Sequence, residues 1–432
     1  MSLRKNTLWS LAGSGLPLIA AAALIPFTLH RLGNEAFGVL TLIWALIGYF
    51  SLFDMGVGRA LTYELSKLRT KSQDSDQHTE ISLTLKAGLL LTLAAGAFGA
   101  VLMLLLAPSL ATVWLKISPT LQQDAMLAFQ IAALGIIPTT LTSGLRGALE
   151  GLERFAGSNV NKLVLGFCMF ALPALAIVQH GNQLWVITLY LVLARAIVAL
   201  IAVLQLKTYL LTSTSTFSKS AAIKILARAK PLLSFGMWMT VSGIVSPLMV
   251  YGDRFFVSAA VGAVLLPLYA IPQEGLQKLL MIPGSLCSAL LPQLSRLSPA
   301  AAGDLYWRNY KRVAVITFGV CVLAAIVIYP VLAWWLSVDF AQKALPIALV
   351  LCVGIWLNGM ALVPYTLIHA NGNSKITALF HVFELFLYMI VLWWLVNHYG
   401  LVGAAFAWLA RVAIDLALLH YSANIILNKI KK

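Results

Sequence analysis

WVITLYLVLARAIVALIAVLQL (185–206) and LVGAAFAWLARVAIDLALL (401–419) are two apolar runs, each with an arginine near its middle, Arg195 and Arg411. Tyr190 through Leu200 aligns with Phe406 through Leu416, and most paired positions stay aromatic, aliphatic or identical. A helix of about 20 apolar residues crosses a bilayer, so each run is a candidate span. An arginine at the centre of a span costs at least about 2.5–3.5 kcal/mol on insertion, so it normally turns toward the protein interior or a wet cavity. Two such arginines at matching places predict a duplicated chain around a central, positively lined chamber.

The whole chain agrees. Of its 432 residues 60% are hydrophobic and only 10% charged, with a mean hydropathy of +0.89. Soluble proteins run near roughly 45–50% apolar and about 25% charged, so a water-soluble fold would have nowhere to bury this surface. The composition predicts an all-α polytopic membrane protein. Twelve apolar runs can be counted, near 8–30, 37–65, 82–106, 124–147, 159–179, 184–206, 231–252, 262–291, 310–336, 344–369, 376–397 and 400–422. Arg4 and Lys5 followed by an apolar stretch resemble a secretory signal. The run is longer than a signal core and another follows at once, so it reads as an uncleaved first span.

The net charge of +15 would suggest a nucleic acid in a soluble chain. Here the basic residues collect in alternate loops and no basic stretch interleaves with exposed aromatics, which argues against nucleic-acid binding. Placing the N-terminus in the cytoplasm puts Arg4, Lys5, Lys67, Arg69, Lys71, Lys375 and the basic residues of 154–162, 207–230, 296–312 and 429–432 inside. The other side keeps essentially Arg31, Lys116 and Lys343, with Arg254 near an outer helix end. The positive-inside rule then predicts both termini in the cytoplasm. Cys168, Cys287, Cys321 and Cys352 stand singly inside apolar runs, and no histidine pattern has ligand spacing. No metal or cofactor is expected.

The polar segment 207–230, with Thr212 to Thr216 at its centre, divides six spans from six and reads as a flexible cytoplasmic linker. The expected domains are therefore 1–206, 207–230 and 231–432, two six-helix lobes of equal orientation related as a parallel repeat. Three correspondences, in order, support duplication: Gly33 and Gly38 with Gly262 and Pro267, Gly151 and Arg154 with Gly372 and Lys375, and Arg195 with Arg411.

Several stretches carry a family resemblance. They are Arg31-Leu32-Gly33-Asn34-Glu35-Ala36-Phe37-Gly38, Phe53-Asp54-Met55-Gly56-Val57-Gly58-Arg59-Ala60, Pro267-Leu268-Tyr269-Ala270, Leu291-Pro292-Gln293-Leu294-Ser295, Ala370-Asn371-Gly372-Asn373 and Tyr399-Gly400-Leu401-Val402-Gly403-Ala404-Ala405. This pattern resembles the polysaccharide-exporter branch of the MOP superfamily, the Wzx-type flippases, over nearly the whole chain. The resemblance implies a MATE-like fold of twelve transmembrane helices in two lobes around a central cavity, in a bacterial cytoplasmic (inner) membrane. It further implies translocation of an undecaprenyl-diphosphate-linked oligosaccharide, such as an O-antigen repeat unit, from the inner to the outer leaflet by alternating access. The expected partners are that lipid-linked substrate, membrane lipid and other polysaccharide-assembly membrane proteins. The alternatives are a cation-coupled multidrug antiporter, which would prefer an acidic cavity, and a membrane polymerase or ligase, which would need a larger outer loop.

An anionic headgroup needs a wet, basic path. Arg195 has no acidic residue in its own span, and a guanidinium offers a planar fork matched to oxyanions. Arg411 is an equal candidate for headgroup ligand or for a pair with Asp415, four residues on. Arg59 and Arg146, near span ends, could receive the headgroup or snorkel to lipid phosphates. Asp54, Glu274, Glu384 and Asp415 are the candidates for ion or proton coupling, since intramembrane carboxylates mark such relays; Glu274 and Lys278 also have pair spacing. Asp253 and Arg254 could form a gate pair or a helix-end cap. Asp74-Ser75-Asp76 reads as a solvated loop rather than a sugar-nucleotide motif.

Overall fold

The computed structural model describes residues 3–50, 56–70, 77–211, 223, 225–229, 232, 248–249, 252–294, 299–371 and 373–431. Asp54, the Asp74-Ser75-Asp76 loop and Thr212 to Thr216 lie outside them. Among the described residues every regular element is a helix. This is what a low-dielectric solvent demands, because a helix satisfies its own backbone groups. Among the described residues, seven helices are long and apolar enough to cross a membrane. Twelve spans are not individually resolved among the described residues, partly because several runs join into continuous bent helices. Two units are distinguished, Met1–Pro247 and Leu248–Lys432.

Unit 1 begins with α1 (Leu3–Phe50), which carries Pro17 and Pro26 and bends at Gly33, φ 75°. α2 (Val57–Thr70), α3 (Gln77–Ser109), α4 (Pro119–Leu134), α5 (Ile136–Gly151), α6 (Phe155–His180) and α7 (Leu184–Gln205) follow. α3 contains Pro108 and then loosens into a π turn over Leu110–Trp114. Proline withholds the amide that would continue the ladder, so the adjoining turn adopts another register. Threonine hydroxyls return to their own helices, as Thr28 Oγ1 donating to Leu24 O (2.8 Å) and Thr188 Oγ1 donating to Leu184 O (2.8 Å). Each hydroxyl is thereby satisfied without water.

Small residues set the closest crossing in unit 1. A methyl on Gly147 of α5 would collide with the backbone carbonyl of Gly58 on α2. The same crossing carries Thr62 Oγ1 donating to Gly147 O at 2.9 Å. With no water to expel between spans, such close packing and interhelical hydrogen bonding supply much of the association. The helix ends are tied by polar groups from other elements. Asp124 of α4 accepts from the free N–H groups of Leu184 (2.8 Å) and Trp185 (3.0 Å) at the start of α7. Glu35 likewise accepts from Ser118 N (2.6 Å) beside α4.

The described residues of the 207–230 segment pack against unit 1. Ala229 and Leu232 are buried in the core formed by α2, α3 and α5, with Tyr209, Leu210 and Ile225 against it. Arg228 forms an ion pair with Glu80 of α3.

Unit 2 begins with a helical segment at 252–261, a turn at Gly262 (φ 96°), and α8 (Leu266–Gln277). A short 3-10 turn leads into α9 (Met281–Leu294), then α10 (Pro299–Trp335), α11 (Val338–Ala370) and α12 (Ser374–Lys431). α12 folds back at Gly400, φ 58° and ψ −136°, a conformation open to glycine and strained for other residues. Left-handed glycines recur at matching places: Gly33 with Gly262, and Gly181 (φ 77°) with Gly400. Gly354 of α11 lies so close to the Trp408 ring that any side chain there would meet it.

Candidate functional site

The interior of unit 2 holds most of the titratable residues singled out in the sequence. Three elements bring them there. The 252–261 helix contributes Asp253 and Arg254, both essentially inaccessible. α8 contributes Tyr269 and Gln273, on one face because they stand four residues apart, and Glu274 next to Gln273. The two arms of α12 contribute Glu384 and Tyr388, then Arg411 and Asp415, two further four-residue spacings. The bend at Gly400 brings these two faces together.

Asp253 Oδ2 accepts from Tyr269 Oη at 2.7 Å, from Gln273 Nε2 at 3.0 Å and from Tyr388 Oη at 3.4 Å. Gln273 Nε2 also donates to Tyr269 Oη at 3.0 Å. Arg254 Nη2 meets Glu274 Oε1 at 3.0 Å. The expected Glu274–Lys278 pair is therefore replaced by a contact between elements, and Asp253 also engages Arg254, through its backbone N–H and its charge. Arg411 Nε lies 3.8 Å from Glu384 Oε2, and Asp415 interacts with both residues. The Arg411 guanidinium also sits over the Tyr388 ring, 6.0 Å from its centroid. Arg411 thus faces two carboxylates, one of them outside its own arm. A narrow crevice runs between the two arms, lined by Glu384, Tyr388 and Arg411 at its polar end and by Leu387, Val391 and Ile414 elsewhere.

Unit 1 presents a different electrostatic picture. Arg195, midway along α7, donates from Nη1 to Leu191 O of its own helix at 2.9 Å. The Cys168 thiol on α6 is an electrostatic neighbour of its guanidinium. Among the described residues no carboxylate lies within ion-pair distance of it. Arg59 is exposed near the start of α2. Arg146 is half-exposed, with Nε 4.0 Å from Glu150, which also meets Lys162 at 3.2 Å and accepts from Ser158 Oγ at 2.8 Å. The structure therefore gathers Asp253, Arg254, Glu274, Glu384, Arg411 and Asp415 into unit 2, while Arg195, Arg59 and Arg146 belong to unit 1.

Sequence reasoning did not mark Tyr269, Gln273 or Tyr388. Tyr269 lies within the Pro267-Leu268-Tyr269-Ala270 stretch that carried the family resemblance, which was the available signal. Tyr388 had none, since a tyrosine in an aromatic-rich span reads as packing. The tryptophans divide: Trp44 is buried edge-on against Phe37 and Phe170, whereas Trp334, Trp393 and Trp394 are exposed, as membrane-interface residues are.

Comparison with known proteins agrees with this architecture. Residues 3–298 match the family model described as "Polysaccharide biosynthesis protein". A Shigella flexneri protein described as "Putative O-antigen transporter" is 34% identical over 426 residues, covering 98% of this chain and 97% of that protein. Among solved structures, an inward-facing multidrug resistance MATE family transporter of the MOP superfamily superposes with a TM-score of 0.74 at 14% identity, covering 100% of this chain and 96% of its own. A Pyrococcus furiosus MOP superfamily transporter, described as having a binding pocket of reverse polarity, superposes with a TM-score of 0.59 at 12% identity, covering 98% and 95%. At such identities the structural likeness speaks for the fold. The chain, a multi-pass helical membrane protein of MATE-like fold, belongs to the polysaccharide biosynthesis protein family.

Proposed function

We propose that the chain is a flippase for an undecaprenyl-diphosphate-linked oligosaccharide, an O-antigen or other surface-polysaccharide repeat unit. It moves the substrate from the inner to the outer leaflet of a bacterial cytoplasmic membrane by alternating access, with both termini in the cytoplasm. It is a transporter and not an enzyme, as the family and the O-antigen transporter relative support. The observation that carries the substrate reading is Arg195. An intramembrane guanidinium with no carboxylate partner among the described residues keeps a full positive charge for an anion, and its fork of donors suits a diphosphate. Its bond to Leu191 O occupies part of that fork and leaves further donors.

Arg59 and Arg146 lie near helix ends, where they would receive the headgroup before it reaches Arg195. Arg411 takes the other of its two candidate roles: facing Glu384 and Asp415, it holds a charged cluster together. Glu384, Asp415 and Glu274 belong to coupling or its support. Asp54 remains a coupling candidate from the sequence.

The test is complementation of a strain lacking the gene, read as surface glycan together with lipid-linked intermediate in each leaflet. Arg195→Ala is expected to lose surface glycan at normal protein abundance and to accumulate the carrier in the cytoplasmic leaflet, with Arg195→Lys intermediate. Full complementation by Arg195→Ala would refute the assignment. Normal glycan with altered drug resistance in the deleted strain would favour the antiporter.

A further inference from the structure

We propose that Arg146, Glu150, Ser158 and Lys162, at the junction of α5 and α6, form a diphosphate reception site that the Glu150 carboxylate fills until a ligand displaces it. This rests on the flippase reading and deepens it, adding Glu150, Ser158 and Lys162 to the residues that meet the headgroup first.

The first argument is that the place already holds an oxyanion. Glu150 of α5 accepts from Ser158 Oγ at 2.8 Å and meets Lys162 Nζ at 3.2 Å, both on α6. Arg146, one turn earlier on α5, stands 4.0 Å away through Nε. A hydroxyl, an ammonium and a guanidinium from two helices thus converge on one carboxylate, and the same donors suit phosphate oxygens. Ser158 is buried, so once Glu150 leaves, its hydroxyl is best satisfied by another oxyanion. Glu150 is partly exposed, as are both cations. The carboxylate has solvent to turn into, and the cations are within reach of a ligand.

The second argument is charge. Two cations against one carboxylate leave a single positive charge while Glu150 is in place. With Glu150 turned out, both cations are free to match a diphosphate ester, which carries one negative charge on each phosphate. A phosphodiester lipid carries a single charge and matches only one of them. Exposed ion pairs are weak, so the exchange costs little.

The third argument is position. Asn161 Nδ2 donates to Gln205 Oε1 at 3.2 Å, and Arg154 Nη1 donates to Gln205 O. The start of α6 is thereby fastened to the end of α7. Arg195 lies about 15 Å back along α7 from Gln205, at 1.5 Å per residue. A headgroup held at Lys162 therefore stands toward the helix ends from Arg195 and reaches it by moving inward along α6 and α7.

The experiment uses the purified full-length protein in neutral detergent, with inorganic pyrophosphate as probe and titration calorimetry as readout. Glu150→Gln keeps the shape of the side chain but not the charge that holds the cations. It is expected to bind pyrophosphate roughly three- to tenfold more tightly than the unsubstituted protein, the equivalent of exposed ion pairs that no longer have to be broken. Adding Lys162→Gln is expected to cancel the gain. Equal affinity of Glu150→Gln and the unsubstituted protein overturns the proposal, as does an absence of binding by both. If Glu150→Gln does not fold, Lys162→Gln alone carries the test. It is expected to weaken binding by roughly tenfold or more, the loss of a hydrogen bond between charged groups, and an unchanged affinity overturns the proposal.

A second arm repeats the titration in nanodiscs of phosphatidylcholine with and without phosphatidylglycerol. Binding retained beside phosphatidylglycerol supports a diphosphate occupant, whereas its loss assigns the site to bilayer lipid and overturns the headgroup reading. On an Arg195→Ala background the Glu150→Gln gain is expected to persist, and its disappearance overturns a site separate from Arg195. No glycan enters the assay, so full complementation by Arg195→Ala would refute that assignment and leave this result standing.

Discussion

The crossing of α2 and α5 offers a direct measure of how closely the spans of unit 1 depend on small residues. Gly147→Ala adds one methyl, and that methyl would land on the backbone carbonyl of Gly58. Backbone cannot rotate aside as a long side chain can, so the two helices must separate. Overpacking of this kind costs about 1–3 kcal/mol. Separation also lengthens the bond from Thr62 Oγ1 to Gly147 O, now 2.9 Å; interhelical bonds in membranes contribute roughly 0.6–1.7 kcal/mol. Together the loss is about 2–5 kcal/mol. A matched control is Gly319→Ala in α10, where the methyl meets nothing within 4 Å. That control is expected to be neutral or stabilising by up to about 1 kcal/mol, because alanine is the better helix former. Denaturant titration of the purified proteins in mixed micelles, followed by circular dichroism, supplies the comparison. A Gly147→Ala protein as stable as the unsubstituted one would show that the two helices do not meet as described.

The buried charge cluster yields a second prediction. Arg411→Ala strands Glu384 and Asp415 and is expected to destabilise the protein by about 3–5 kcal/mol, visible as lost abundance. Adding Glu384→Gln should recover much of the loss, and strictly additive effects in the double variant would contradict the observed pairing. In unit 1, Asp124→Ala removes the acceptor for two free N–H groups of α7. A cost of about 0.5–2 kcal/mol is expected, the range for a lost helix cap, and an unchanged melting temperature would argue against the cap.

Much of the architecture was legible because a membrane imposes a simple rule on sequence. Apolar runs long enough to cross had to be helices, and the arginines of Leu193-Ala194-Arg195 and Leu409-Ala410-Arg411 stood out against them. Matching glycines at Gly33 and Gly262 proved to share a left-handed backbone, which is why only glycine serves at those bends. The site was legible by residue type alone. Glu274 with Lys278 and Arg411 with Asp415 were reasonable pairings along one helix, since spacing is all that a sequence displays. The structure prefers Arg254 with Glu274 and adds Glu384 to Arg411, because partners in a folded core are chosen across helices.

The amino-acid sequence by itself determined that this protein lives in a bilayer, that its elements are helices, and which charges are buried in hydrocarbon, since each follows from the cost of moving polar groups out of water. Only the tertiary structure decided which of those charges are compensated. It turned α12 back at Gly400 and set α8 beside it, so that Arg411 acquired two carboxylates, Asp253 acquired three neutral donors, and Arg195 acquired a carbonyl of its own helix. Coulombic partnership depends on distance through space, and distance through space is not written in the order of residues.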